Sequence, residues 1–303
     1  MTAPPKPRHV QAATALFTGA AGNKLVADVY GESRMPAMLL HGGGQTRYAW
    51  RRTGEHLARA GLTAYALDQR GHGDSDWIAH GAYGFDDFAA DAAVIAATLS
   101  ERTGSRPVAI GASLGGIAAL LADGRSERAG RGPLFTAIVL VDITPRVDRA
   151  GVSKIQGFMR ERATEGFATI SEAADAVAAY LPHRARPRSH DGLKKNLRLE
   201  PDGRWRWHWD PRMLTGARSF AQDHHILEAA LIEAAKAITI PALLVRGGSS
   251  ELVHEAHVRE FLELVPHASY IDVADARHMV AGDSNDRFSA AILDFVGQID
   301  HPR

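Results

Sequence analysis

The chain predicts an α/β fold, a mostly parallel sheet flanked by helices with a helical segment inserted late in it. Three observations carry that expectation. Short apolar runs alternate with segments of helical periodicity, the rhythm of strand–helix–strand units. The pentad Gly111-Ala112-Ser113-Leu114-Gly115 stands between one such run and a small-residue helix start. The rhythm then breaks once, in the long stretch between Asp142 and Pro241.

Met1 to Val10 is rich in Pro and basic residues and has no apolar stretch, so it reads as an arm and not as a secretory signal. Leu25–Tyr30 alternates apolar and polar, as an antiparallel edge strand would. Ala37–Leu40, Thr63–Leu67, Val108–Ile110, Ala137–Val141, Ala242–Val245 and Tyr270–Val273 are short apolar runs alternating with helical patterns, which points to a parallel sheet with crossover helices. Phe88, Ala92, Ile95 and Leu99 lie at helical spacing, as do Phe288, Ile292, Phe295 and Ile299 on a final helix from about Asn285.

Within the break the pattern predicts helices near Val152–Arg162 and Ser171–Leu181, then an Arg/Pro-rich stretch at His183–Arg188 and a tryptophan cluster. The expected organisation is a core formed by residues 1–142 and 236–303, with a helical cap at 143–235.

At 303 residues, 45% of them hydrophobic, the chain can bury a large core with an insertion. Lys plus Arg equals Asp plus Glu, 35 each, and the pI is near 7.3. That balance speaks against nucleic-acid and membrane partners. Cysteine is absent, which excludes disulfides, thiolate metal sites and a cysteine nucleophile. No apolar run reaches the roughly 18 residues needed to span a bilayer. The expectation is a soluble, cytoplasmic protein acting on a small molecule, with oligomeric state left open.

A serine between two glycines on a sharp strand-to-helix turn has its hydroxyl lifted clear of the backbone for attack. Serine is a poor nucleophile until a base takes its proton, so Ser113 requires a histidine and a carboxylate to orient it. Of the 15 histidines, His278 is best placed, a short polar loop beyond the last strand. Glu251 is the expected orienting acid, delivered by the turn Arg246-Gly247-Gly248-Ser249-Ser250 after an apolar strand. Asp142, at the end of its own strand, is the rival, while Asp275 stands too near His278 and reads as a turn-former.

An acyl-transfer site also needs donors for the developing oxyanion. His41-Gly42-Gly43-Gly44 directly follows a strand, so the Gly43 amide, with the Leu114 amide after the nucleophile, is the expected pair. A phosphate cradle fails on detail, since Gly-Lys-Ser/Thr and Gly-x-Gly-x-x-Gly are both missing.

With these residues together, the chain resembles an α/β-hydrolase with a cap, over nearly all its length. The His-Gly-Gly-Gly loop, Asp68-Gln69-Arg70-Gly71-His72-Gly73-Asp74-Ser75, the Ser113 elbow and His278 carry the resemblance. It implies that the Asp68–Ser75 loop is structural, its Arg and His bracing neighbouring loops. Glu251 departs from the family's usual aspartate, which keeps Asp142 open. In Arg204-Trp205-Arg206-Trp207-His208-Trp209, period-two spacing puts Trp205, Trp207 and Trp209 on one face. They are candidates for an apolar lid as well as for the cap's own core, and Trp50 is a second candidate pocket aromatic. His224 and His225 lack a third ligand at metal spacing.

The expectation is a serine hydrolase cleaving an ester or similar acyl bond of a small apolar substrate, without metal or organic cofactor. A carbon–carbon hydrolase of dienoic keto acids would use the same triad and want basic groups such as Arg184, Arg186 or Arg188. A perhydrolase would differ in how the acyl-enzyme is intercepted. Epoxide opening is disfavoured, because a serine would form an ether that water does not cleave. A non-catalytic ligand receptor is the competitor outside enzymology.

Overall fold

The computed structural model describes residues 12–182, 189–216, 218–219, 224–274, 276 and 285–299. Strands β1 (Ala13–Thr18), β2 (Lys24–Tyr30), β3 (Pro36–Leu40), β4 (Thr63–Asp68), β5 (Val108–Ala112), β6 (Ala137–Val141), β7 (Ala242–Gly247) and β8 (Ser269–Val273) form one sheet. Its order is β1-β2-β4-β3-β5-β6-β7-β8. From β4 to β8 all neighbours are parallel, while β2 runs antiparallel to both β1 and β4.

The apolar runs form strands β3 to β7 because both faces are covered, whereas β8, at the far edge of the sheet, buries only Val273. On β3, Met38 and Leu40 enter one core while Ala37 and Leu39 enter the other, the period-two alternation of a strand. The first core lies under α2 (Phe85–Thr103), α3 (Leu114–Arg128), α6 (His224–Ala237) and α7 (Glu255–Leu264); the second lies under α1 (Arg51–Arg59) and α8 (Asn285–Gly297).

Two expectations need correction. β2 is internal to the sheet, and the antiparallel edge strand is β1, whose only buried residue is Phe17. An outer strand that exposes Leu16 and two threonines leaves no clean apolar pattern to read. The insertion also ends earlier than residue 235. Helix α6 packs along α3 so closely that a Cβ on Gly124 would come 2.5 Å from the Ala234 Cα. It therefore belongs to the layer that flanks the sheet.

The insertion carries α4 (Arg149–Arg160), α5 (Ile170–Tyr180) and a hairpin pairing Leu197–Leu199 with Trp205–Trp207. Asp148 and Thr169 cap α4 and α5 by accepting from Gly151 N and Glu172 N. Three sets of contacts fasten the insertion above the C-terminal ends of the strands. Gly73 N donates to His208 O at 2.8 Å, and Asp210 N to Gly71 O at 2.8 Å. Buried Tyr83 donates its hydroxyl to Asp210 at 2.5 Å. On the opposite side Asp148 N donates to Leu252 O at 2.8 Å. Among the described residues, no helix is long and apolar enough to cross a membrane.

Candidate active site

Ser113 sits between β5 and α3 with φ 46° and ψ −113°, a conformation L-residues avoid and one that stores on the order of 1–3 kcal/mol. The surroundings enforce it. Ser113 N donates to Val141 O at 3.1 Å, tying the turn to the end of β6. A Cβ on Gly115 would stand 2.3 Å from Leu40 O, and one on Gly111 would stand 2.5 Å from the Gly115 carbonyl carbon. The helix can start this close to β3 and β5 only because those positions carry no side chain.

The loop after β3 presents its amides selectively. Gly42 N donates to Gln45 Oε1 at 3.0 Å, and Gly44 N donates to His72 Nε2 at 3.1 Å. Gly42 O accepts from Gln45 N at 3.1 Å and from His41 Nδ1 at 2.8 Å. In a trans peptide the C=O and the following N–H point in opposite directions. Anchoring Gly42 O therefore turns Gly43 N–H the other way, and that N–H has no partner among the described residues. Leu114 N–H opens α3, ahead of the intrahelical ladder. Gly43, Leu114 and Ser113 all line one cavity.

The expected base, His278, lies outside the described residues, as do Asp275, Arg184, Arg186 and Arg188 and the side chains of His224 and His225. Both candidate acids are described, and they differ sharply. Asp142 follows β6 directly, is fully buried and has φ 50°. Its Oδ1 accepts from Gly247 N at 3.0 Å and its Oδ2 from Ser250 Oγ at 2.6 Å. Ser250 Oγ in turn accepts from Leu252 N and Val253 N, so its proton is committed to Asp142. Glu251 turns to the surface instead. Its side chain is 33% exposed and lies 3.8 Å from the Lys154 ammonium on α4. Burial, with Glu251 as a second cause, pushes the nearby Tyr180 phenol up to about 12.

The cavity holds about 230 Å³ between the strand ends and the insertion. Phe158 and Met159 of α4, Tyr180 of α5, and Trp207 and Trp209 supply much of the wall on the insertion side. Phe158 stacks face to face on Tyr180 at 4.1 Å, and Trp207 meets it edge-on at 5.7 Å. No Asp, Glu, Lys, Arg or His is among its described lining residues. Of the four tryptophans proposed for the pocket, Trp207 and Trp209 line it, whereas Trp205 and Trp50 do not. Trp50 packs on Phe288 at 6.0 Å in the second core, because the helical turn Arg47–Trp50 leads it under the sheet into α1. The sequence reading missed Phe158, Met159 and Tyr180. The apolar faces of α4 and α5 carried the signal, but which apolar face covers a substrate and which covers core follows only from docking.

The Asp68–Ser75 loop braces the site. Arg47 is held by Asp28, Asp68 and Asp74, and Arg70 donates to both Asp91 oxygens at 2.7 Å. His41 Nε2 accepts from Gln69 N at 3.1 Å. Burial pushes both His41 and His72 below the ordinary histidine range, His72 furthest. Among the described residues no cluster of three His, Asp or Glu is placed to hold a metal ion.

A strained serine and the Gly43 and Leu114 amides lining one apolar cleft form an arrangement suited to acyl transfer. A family profile described as alpha/beta hydrolase fold matches residues 36–284. The chain belongs to that family and is a hydrolytic enzyme. Esterase Rv0045c of Mycobacterium tuberculosis is 28% identical over 265 residues, covering 84% of this chain and 80% of its own. A 2-(acetamidomethylene)succinate hydrolase of Mesorhizobium japonicum is 30% identical over 235 residues, 78% of each chain. Among solved structures, that of an E-2-(acetamidomethylene)succinate hydrolase superposes with a TM-score of 0.79 at 23% identity, covering 94% of this chain and 99% of its own.

Proposed function

We propose that the enzyme is a serine esterase for small, uncharged, apolar substrates. The observation that carries this reading is a strained Ser113 facing an apolar cavity beside the Leu114 amide and the Gly43 amide, which has no partner among the described residues. Ser113 Oγ attacks the acyl carbonyl while His278 takes its proton. The Gly43 and Leu114 amides hold the tetrahedral oxyanion, each donor contributing on the order of 10²–10³ in rate. His278 then protonates the departing alkoxide, and water releases the acyl group by the same steps in reverse order of roles.

Asp142 orients His278 in this proposal, in place of Glu251. Its two donors fix the carboxylate in place, and its strand adjoins the one that carries Ser113. The partly exposed Glu251, paired with Lys154, is better suited to fastening α4 to the core.

The apolar lining supports an ester over a keto-acid substrate, whose carboxylate would want a cation. An acyl-chain series of p-nitrophenyl esters, run beside a meta-cleavage keto acid and beside peroxide as acyl acceptor, tests this. Ester turnover that Ser113→Ala lowers by about 10⁴-fold or more is expected. Turnover of the keto acid alone would move the assignment to carbon–carbon cleavage.

A further inference from the structure

We propose that His72 is a positioning residue for the oxyanion loop and the link between that loop and the inserted segment. The inference rests on the assignment of Ser113 as nucleophile and Gly43 as oxyanion donor.

The partners of the His72 ring determine its protonation. Nδ1 lies 3.0 Å from Arg70 O, and a carbonyl can only accept, so Nδ1 carries the proton. Nε2 lies 3.1 Å from Gly44 N, a donor, so Nε2 presents its lone pair. Both ring nitrogens are thus used by a neutral imidazole, and an imidazolium could not hold Gly44. The surroundings keep it neutral. The ring is fully buried, the His41 ring stands edge-on at 4.7 Å and Phe88 at 6.4 Å. His41 and His208 both disfavour a charge on it. Asp68 and Arg47, the charges that act on His41, are bonded to each other.

The loop needs such a tie. Gly42, Gly43 and Gly44 have no side chains to pin their peptides, and Gly44 takes φ 77°, so the backbone has unusual freedom to rotate. The Gly42–Gly43 peptide is anchored through Gly42 O. The Gly43–Gly44 peptide is anchored through Gly44 N–H on His72. The donor amide of Gly43 lies between the two anchors.

The same residue meets the insertion. The His72 backbone bridges to Trp209, and the next residue, Gly73, donates to His208 O at 2.8 Å. A Cβ on Gly44 would come 3.2 Å from Met159 Cε and 3.7 Å from Trp209 Nε1. Cavity wall, imidazole and oxyanion loop therefore form one contact chain. A role in packing alone would depend on the volume of the His72 side chain and not on where it offers an acceptor.

The experiment compares His72→Gln with His72→Asn. A glutamine amide oxygen reaches the place of Nε2 and can accept from Gly44 N. An asparagine amide ends near the place of Nδ1, where it can donate to Arg70 O but leaves Gly44 unpaired. The readouts are kcat and KM on a reporter ester, and Ki for an arylboronic acid that forms a tetrahedral adduct on a serine nucleophile. His72→Asn is expected to lower kcat by about 10²-fold with KM within about threefold, and to raise the boronate Ki in proportion. His72→Gln is expected to stay within about tenfold of the parent enzyme. Equal kcat in the two variants, or an effect confined to KM, overturns the proposal. Should His72→Asn fail to fold, His72→Met, of similar length and with no comparable acceptor, takes its place against His72→Gln under the same criteria. Ser113→Ala is run alongside. Full activity there would refute the serine assignment itself, whereas an inactive Ser113→Ala beside an unimpaired His72→Asn refutes only the role of His72.

Discussion

Replacing Asp142 by Asn and Glu251 by Gln removes one negative charge from each of two acids on neighbouring strand ends, yet the two changes should differ by orders of magnitude. At Asp142 the carboxylate accepts from Gly247 N and Ser250 Oγ. Ser250 cannot turn its proton elsewhere, because its oxygen already receives two amides. The asparagine amide must therefore point its NH₂ at one of two donors. Loss of a buried charge-assisted hydrogen bond costs about 1.5–3 kcal/mol of stability. Catalytically, a triad acid made neutral leaves the imidazole in the wrong tautomer, a loss approaching 10⁴-fold in kcat; with geometry otherwise intact, about 10²–10⁴-fold is expected here. At Glu251 the change removes a partly exposed contact with Lys154 at 3.8 Å, worth about 0.2–1 kcal/mol, and kcat should stay within about tenfold. Steady-state kcat for both variants on one p-nitrophenyl ester, with urea denaturation alongside, decides the matter. A larger kcat loss in Glu251→Gln than in Asp142→Asn would refute the assignment and return the role to Glu251.

Three further outcomes are expected. Gly115→Ala, whose Cβ would stand 2.3 Å from Leu40 O, must push α3 away from β3; denaturation should show a loss of roughly 1–3 kcal/mol, and esterase activity should fall with it. Phe158→Ala opens the wall on the Tyr180 side, and kcat/KM for an octanoyl ester relative to an acetyl ester should rise by roughly tenfold; an unchanged ratio would remove Phe158 from acyl selection. Burial pushes the Asp123 carboxyl up to about 6. A raised folded value means its stabilising effect is present below pH 4 and is lost as pH rises towards 6, at about 1.4 kcal/mol per unit. Asp123→Asn should therefore gain stability relative to the parent at pH 8 but not at pH 4, and a pH-independent difference between the two unfolding curves would contradict the assignment.

How far the sequence could be read follows the kind of signal each feature leaves. The parallel strands were legible because burial on both faces demands unbroken apolar runs, as in Ala137–Val141, where every residue is buried. The elbow was legible because its geometry excludes side chains at Gly111 and Gly115, and steric exclusion writes itself into residue identity. The braces Arg70 and His72 could be placed only by resemblance, since their partners Asp91 and Gly44 are distant in sequence.

The orienting acid shows the opposite case. Asp142 and Glu251 each follow an apolar strand and each offer a carboxylate, and local pattern favours Glu251 because its Gly-Gly turn follows the penultimate strand. The features that separate them are a donor from Ser250, a donor from Gly247 and the proximity of Lys154, all supplied by segments that meet through β6–β7 pairing and the docking of α4. Trp50 and Trp207 divide for the same reason. Both are buried indoles, but one is carried under the sheet and the other onto the cavity wall by the elements around them. Residue type fixed by a backbone requirement can be read locally; residue role fixed by which surfaces dock cannot. Ser113, the proposed nucleophile, falls in the first group, and the shape and polarity of the cavity it lines fall in the second.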